Sequence, residues 1–171
     1  IKYIPEKLVD KYFKDVQKAL VHKSFVNKTK KWPVIVTCHH GTASKYLPKF
    51  LKSLHFNVIP VKEQCFFDPK FSNSPSSNPE AFNSFELSIK YANKYKANIC
   101  IGVDPDADRM AVLLKHNGKW RLMTGNDMGI LYTYFNLANR KYKKTPFIAA
   151  SYVSTGYIDK IAKAYKAKVY R

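Results

Sequence analysis

After Pro5, the residues Leu8, Val9, Tyr12, Phe13, Val16 and Leu20 recur at three- and four-residue spacing, which predicts an amphipathic helix. A polar, Lys-rich linker from about Asn27 to Lys31 ends it. Pro33 to Cys38 is a short, nearly continuous apolar run, the pattern of a strand buried on both faces. His39-His40-Gly41 reads as a turn and Thr42 as an N-cap. Ala43, Tyr46, Leu47, Phe50, Leu51 and Leu54 then mark the apolar stripe of a second helix. Val58 to Val61 predicts the next strand, so this stretch is a β-α-β unit with parallel strands and a right-handed crossover.

The run from Asp68 to Ser77 is rich in turn formers and too long for a tight connection. Asn78 as N-cap with Pro79 at the first helical position predicts a helix whose core face is Phe82, Phe85, Ile89 and Ala92. Ile99 to Val103 predicts a strand. Met110 to Leu114 and Trp120 to Met123 predict two more, joined at the hairpin signal Asn117-Gly118. The expected fold class is therefore α/β, a three-layer αβα arrangement around a mixed, mainly parallel sheet with an antiparallel edge. The pattern then restarts. Thr124 to Asp127 has capping-box spacing before a helix over Met128 to Leu137. A strand at Pro146 to Ala150, a cap at Ser154 or Thr155, a helix carrying Ile158, Ile161, Ala162 and Tyr165, and a strand from Lys168 follow. The expected division is a first unit over 1–123 and a truncated second α/β unit over 124–171.

A chain of 171 residues has room for one ordinary domain and part of another. It has no initiator Met and stops within a strand-like segment, so a piece of a longer protein is expected. No apolar run reaches the roughly 18–20 residues of a transmembrane helix, and the first residues lack the features of a secretory signal. Cys38, Cys65 and Cys100 are odd in number and far apart, which argues against a disulfide framework or a zinc site. Reduced thiols in a cytoplasmic protein fit best, with Cys38 and Cys100 as small core residues. Lys plus Arg number 30 against 12 Asp plus Glu, and a net charge of +18 favours anionic partners. The excess is scattered Lys without a recognition motif, so neither a specific nucleic acid nor a membrane is expected as partner.

The chemistry concentrates in Asp104-Pro105-Asp106-Ala107-Asp108-Arg109, where the strand 99–103 ends. Ligands of open α/β sheets lie beyond the carboxyl ends of the strands. In an extended loop the three aspartates alternate onto one side and converge. Packed together they repel, and a cation relieves that repulsion. Oxygen-only ligands suit Mg²⁺ or Mn²⁺, and three are too few to fill an octahedron, which leaves room for water and a phosphate oxygen. Arg109 adds a planar donor fork suited to phosphate. An EF-hand is excluded, because its sixth position would be Arg109 and its twelfth Lys115. A solvated acidic turn, a basic nucleic-acid-binding module, and a dehalogenase-type phosphatase using Asp104 or Asp106 as nucleophile remain as alternatives.

Gly102 to Arg109 resembles the metal loop of the α-D-phosphohexomutases, the phosphoglucomutase/phosphomannomutase enzymes. His40-Gly41-Thr42 resembles the H-G-T turn of their second domain, and Ser77-Asn78-Pro79-Glu80 their P-N-P-E segment. Leu122 to Gly129 resembles the L-x-T-G-D/N-x-x-G start of their third domain, and Val153-Ser154-Thr155 a later V-S-T segment. The resemblance implies an isomerase that moves a phosphoryl group between a phosphoserine and a hexose monophosphate through a bisphosphate. It implies Mg²⁺ held by Asp104, Asp106 and Asp108, with Arg109 steadying the transferring group. It makes this chain the second domain and the start of the third. The T-A-S-H-N-P loop that carries the family's serine is absent, so the phosphoserine of a first domain is an implied partner and the chain alone is expected to be inactive. Thr42-Ala43-Ser44 mimics three letters of that loop, but Ser44 reads as an exposed first-turn residue. His40 precedes a helix N-terminus and is a candidate substrate-binding residue, against the alternative of a turn packed by a hydrogen-bonded imidazole. Ala150 stands where relatives often carry Lys.

Overall fold

The structure, a computed structural model, describes residues 4–21 and 30–171. The linker expected from Asn27 lies partly outside them. Helix α1 (Glu6–Lys18) is followed by strand β1 (Pro33–Thr37), a 3₁₀ turn (Thr42–Ser44), helix α2 (Leu47–Ser53) and strand β2 (Asn57–Pro60). A second 3₁₀ turn (Phe82–Phe85) leads into helix α3 (Glu86–Tyr95), then strands β3 (Ile99–Val103), β4 (Met110–His116) and β5 (Lys119–Leu122). Helix α4 (Gly125–Asn139), strand β6 (Phe147–Ala149), helix α5 (Tyr157–Ala164) and strand β7 (Lys168–Tyr170) complete the chain.

The main sheet has the order β2-β1-β3-β4-β5. β1 pairs in parallel with β2 and with β3, whereas β4 is antiparallel to β3 and to β5. Only β4 therefore runs against the common direction, as expected for a mainly parallel sheet with a hairpin at its edge. The hairpin turns through Asn117 and Gly118, whose φ values of 48° and 77° suit the tight turn that Asn-Gly favours. β1 is central and its last four residues are buried, which explains its unbroken apolar run.

Alternate residues of β1 feed two cores. Ile35 packs with Phe85, Ala92, Cys100 and Leu113 on the α3 side. Val34, Val36 and Cys38 pack with Ala43 and Val58, beside Leu47 and Leu51 of α2, on the other. Helices thus cover both faces, giving three layers. α1 lies outside α2: Phe13 meets Phe50 at 5.0 Å between ring centroids, and Glu6 pairs with Lys45 and Lys49 at 2.8 and 2.7 Å. Of the expected α1 stripe only Val9 and Phe13 are buried, while Leu8 and Tyr12 stay exposed.

Two helix starts differ from expectation. Thr42 opens a 3₁₀ turn and caps nothing with its side chain; the helix proper starts at Leu47, where Pro48 takes a first-turn position that needs no N–H donor. Asn78 accepts a bond from the Glu80 amide at 3.0 Å, an Asx turn, and the chain is extended again at Ala81, so the helix begins only after the 3₁₀ turn. Phe85 is fully buried as expected, but Phe82 is exposed.

Beyond β5, β6 and β7 form a separate two-stranded parallel sheet. The Thr124–Asp127 capping box forms as predicted: Thr124 Oγ1 accepts the Asp127 amide at 3.1 Å, and Asp127 accepts the Thr124 amide at 3.0 Å.

Candidate metal centre

The parallel register that sets Thr37 opposite Gly102 brings the exits of β1 and β3 side by side. After β1 the chain reverses through His39 and His40, both left-handed with φ of 43° and 64°, and the Gly41 amide donates to the Cys38 carbonyl at 2.7 Å. Two consecutive non-glycine residues in that region are rare, and tertiary contacts must hold them there. The Thr42 amide and hydroxyl then donate to the Pro105 carbonyl at 2.8 and 3.1 Å. A turn from one strand end thus grips the acidic loop leaving the next. The sequence marks that turn by its letters but not its target; Thr42, expected as a helix cap, is a buttress of the loop.

The loop is not extended as expected. The Ala107 amide donates to the Asp104 carbonyl at 3.1 Å, the Asp104 amide to the Arg109 carbonyl at 3.2 Å, and Ala107 is left-handed with φ 65°. Convergence of the aspartates therefore comes from a closed turn, in which alternation along a strand plays no part. One carboxylate oxygen from each of Asp104, Asp106 and Asp108 lies within 4.8 Å of the other two. Asp104 is fully buried, while Asp106 and Asp108 are exposed.

Arg109 serves Asp104 twice. Its backbone amide reaches Oδ1 at 3.0 Å and its Nε reaches Oδ2 at 2.8 Å, while Asp108 lies 3.6 Å from the same Nε. Burial pushes the Asp104 carboxyl up, but the Arg109 amide and guanidinium outweigh it and hold the group below its ordinary range. Asp108 moves the other way, raised by its hydrogen bond with Asp104 and the charge of Asp106. Arg109 balances the charge of Asp104, while Asp108 is raised by its acidic neighbours, so the cluster carries more carboxylate than facing positive charge. Three oxygen donors, one of them anchored, fit a hard divalent cation. With both oxygens of Asp104 engaged inside the protein, the buried carboxylate is badly placed as a phosphatase nucleophile.

His40 is buried with both ring nitrogens on the protein: Nδ1 lies 3.2 Å from the Phe66 carbonyl and Nε2 accepts from the Asn73 amide at 3.3 Å. Its ring and that of Phe66 meet edge to face, 5.0 Å between centroids. His39 is also buried; its Nδ1 approaches Ser74 Oγ at 3.3 Å, while Nε2 lies against Gly102 without a hydrogen-bond partner. Gln64 joins the same layer, accepting from Thr37 Oγ1 at 2.8 Å and donating to the Asn73 carbonyl at 2.7 Å. Nothing in the spacing of Thr37, Gln64 and Ser74 identifies this layer, because polar residues so far apart carry no periodic signal. Ser44 is half-buried and donates to the Gly41 carbonyl at 2.7 Å, a role inside the turn. Beside Ala107 an apolar cleft of about 450 Å³ runs between α1 and α2, lined by Phe13, Val16, Tyr46 and Phe50.

Residues 10–118 match the family described as phosphoglucomutase/phosphomannomutase, alpha/beta/alpha domain II. The chain is 46% identical over its whole length to a phosphomannomutase of Mycoplasmoides pirum, covering 31% of that protein. It is 32% identical to a phosphoglucomutase of Staphylococcus aureus, over 95% of this chain and 29% of the relative. It therefore spans about a third of the curated relatives it matches. A phosphoglucomutase/phosphomannomutase family protein from Burkholderia thailandensis shares the fold, with a TM-score of 0.70 at 15% identity, covering 95% of this chain and 32% of that structure. With its αβα layers, its acidic turn after β3 and a family match across residues 10–118, the chain belongs to the phosphoglucomutase/phosphomannomutase family.

Proposed function

We propose that this chain is the metal-binding part of a mutase that interconverts hexose 1- and 6-phosphates by phosphoryl transfer through a phosphoserine. In this reading residues 1–123 are the second domain and 124–171 the beginning of the third, of a cytoplasmic enzyme. The single observation that carries it is the convergence of Asp104, Asp106 and Asp108 oxygens within 4.8 Å at the end of a central strand. Mg²⁺ is the cation these residues would hold, and when bound it supplies charge that offsets what develops on a transferring phosphoryl group. Asp104 is the fixed ligand, because burial and the Arg109 amide set its orientation. Asp106 and Asp108 are exposed and approach from the solvent side.

Arg109 has the outward reach to steady a transferring phosphoryl group. Its side chain is 54% exposed, so the guanidinium faces solvent beyond Asp104 and offers its remaining N–H donors to phosphate. His40, expected at the substrate, contributes in this reading by shaping the turn, since both its nitrogens are occupied by backbone groups. The ligands it helps to position would meet a hexose monophosphate or bisphosphate and the phosphoserine of a first domain. No T-A-S-H-N-P loop occurs in these 171 residues, so the serine would belong to another part of the enzyme.

Calorimetric titration with Mn²⁺ tests the metal assignment: the wild-type chain binds and Asp106→Asn does not. Equal binding by the two chains would sink it. Incubated with glucose 1-phosphate and glucose 1,6-bisphosphate, the chain alone should form no glucose 6-phosphate. Turnover, or release of inorganic phosphate, would overturn the division of labour between this part and the serine.

A further inference from the structure

Cys38 and Cys65 are separated by 27 positions yet share the α2-side core. The segments that carry them are tied together by hydrogen bonds on each side of Cys38. The Val61 amide donates to the Val36 carbonyl and the His40 amide to the Gln64 carbonyl, both at 2.8 Å. Between these, Thr37 Oγ1 donates to Gln64 Oε1 at 2.8 Å. Cys65 follows Gln64 directly, and its thiol donates to the Val36 carbonyl at 3.4 Å. It packs against the α2-side core that contains Cys38. Both are free; Cys38 is buried and Cys65 half-buried. Cys100 lies in the opposite core, where its thiol donates to the Ser88 carbonyl at 3.8 Å.

We propose that Cys38 and Cys65 are a modification site, a thiol pair that closes to a reversible intramolecular disulfide when the chain meets a peroxide. The order of events follows from their surroundings. Cys65 is the one solvent touches, and the neighbouring Cys38 thiol, by hydrogen-bonding to it, holds it below the ordinary range despite partial burial. The same hydrogen bond, together with burial, pushes Cys38 up, so it stays a thiol. Cys65 thiolate attacks one peroxide oxygen; the O–O bond breaks, an S–O bond forms, and the leaving oxygen takes a proton as water or an alcohol. Cys38 sulfur then attacks the Cys65 sulfenic sulfur. The S–O bond breaks and the departing hydroxide takes the Cys38 proton as water. Two thiols are oxidised and one peroxide is reduced. The bridge fixes the exit of β1 one residue before the His39–His40 turn that supports the acidic loop.

The reduced chain is treated with hydrogen peroxide, then alkylated with N-ethylmaleimide in denaturant and mapped by mass spectrometry. Alkylated thiols should fall from three to one, the survivor being Cys100, and dithiothreitol should restore all three. In Cys38→Ala, Cys65 should stop at a sulfenic acid that dimedone traps. Three alkylated thiols after peroxide, a bridge between two chains, or Cys65 recovered as sulfinic acid beside alkylated Cys38 would each overturn the proposal. The wild-type mapping needs no variant to fold.

Discussion

Gly41 and Pro105 pack so closely that a Cβ on Gly41 would overlap the Pro105 backbone. Gly41 is extended, with φ −86° and ψ −175°, so any residue could adopt its conformation. Space is the whole reason for glycine here. The turn after β1 and the acidic loop after β3 are therefore fitted parts of one site.

Gly41→Ala should push the loop off its support, because the obstacle is backbone and cannot rotate away. We expect a destabilisation of about 1–3 kcal/mol, the range of overpacked sites, together with at least tenfold weaker Mn²⁺ binding. Urea unfolding and calorimetry measure the two. A variant that keeps wild-type Mn²⁺ affinity would show that the loop holds its shape without the turn.

Arg109→Ala leaves the buried Asp104 carboxylate without its guanidinium. An orphaned buried acceptor costs about 1–3 kcal/mol. The metal-free variant should melt lower, and saturating Mn²⁺ should raise its melting temperature more than that of the wild type, because the cation then supplies the missing charge. Equal shifts in the two proteins would mean that Arg109 does not balance Asp104.

The His39 imidazole is held down to about 4, chiefly by burial and then by His40, against a pull upward from Asp104. Above the ordinary value of 6.5 it is neutral in folded and unfolded chains alike. As pH falls from there toward about 4, the unfolded chain takes a proton that the native one refuses, and stability drops by an amount on the order of 3 kcal/mol. His39→Asn, which tolerates the left-handed backbone, should flatten that slope in urea unfolding between pH 7 and 4.5. An unchanged slope would place the acid sensitivity elsewhere.

Glu6 is drawn down to about 2 by hydrogen bonds from Lys45 and then Lys49. Its contribution is fully present above about 4.5, the unfolded value, and fades as pH falls through the folded one. Amide exchange in α1 of the wild type should quicken from pH 4.5 toward 2 relative to Glu6→Gln, in which exchange is fast throughout. Matching profiles would remove Glu6 from the anchoring of α1 on α2.

The secondary structure was legible wherever periodicity carried it. Val34 to Val36 read as a doubly buried strand, and Thr124 to Asp127 as a capping box, because burial and capping act through near neighbours in the chain. The region from Asn78 to Phe85 was less legible. Its capping letters are genuine, but the Asn78 side chain satisfies the Glu80 amide in a local turn and the helix starts later. Helical propensity could not reveal that competition.

Fold class, the order of elements and the identity of the acidic residues were readable from the chain alone. Each rests on spacing and on the chemistry of carboxylates next to one another. How those residues meet depends on the folded chain. The left-handed Ala107 closes the loop, Thr42 holds it at Pro105, and Arg109 folds back onto Asp104. The fold also placed Cys65 against the core that holds Cys38 and engaged both His40 nitrogens with the backbone. The Thr42–Pro105 contact follows from the pairing of β1 with β3, and the Cys65 and His40 contacts from the pairing of β1 with β2 and the segment after it. No local pattern encodes these pairings, because they arise only when the two faces of the sheet are buried together.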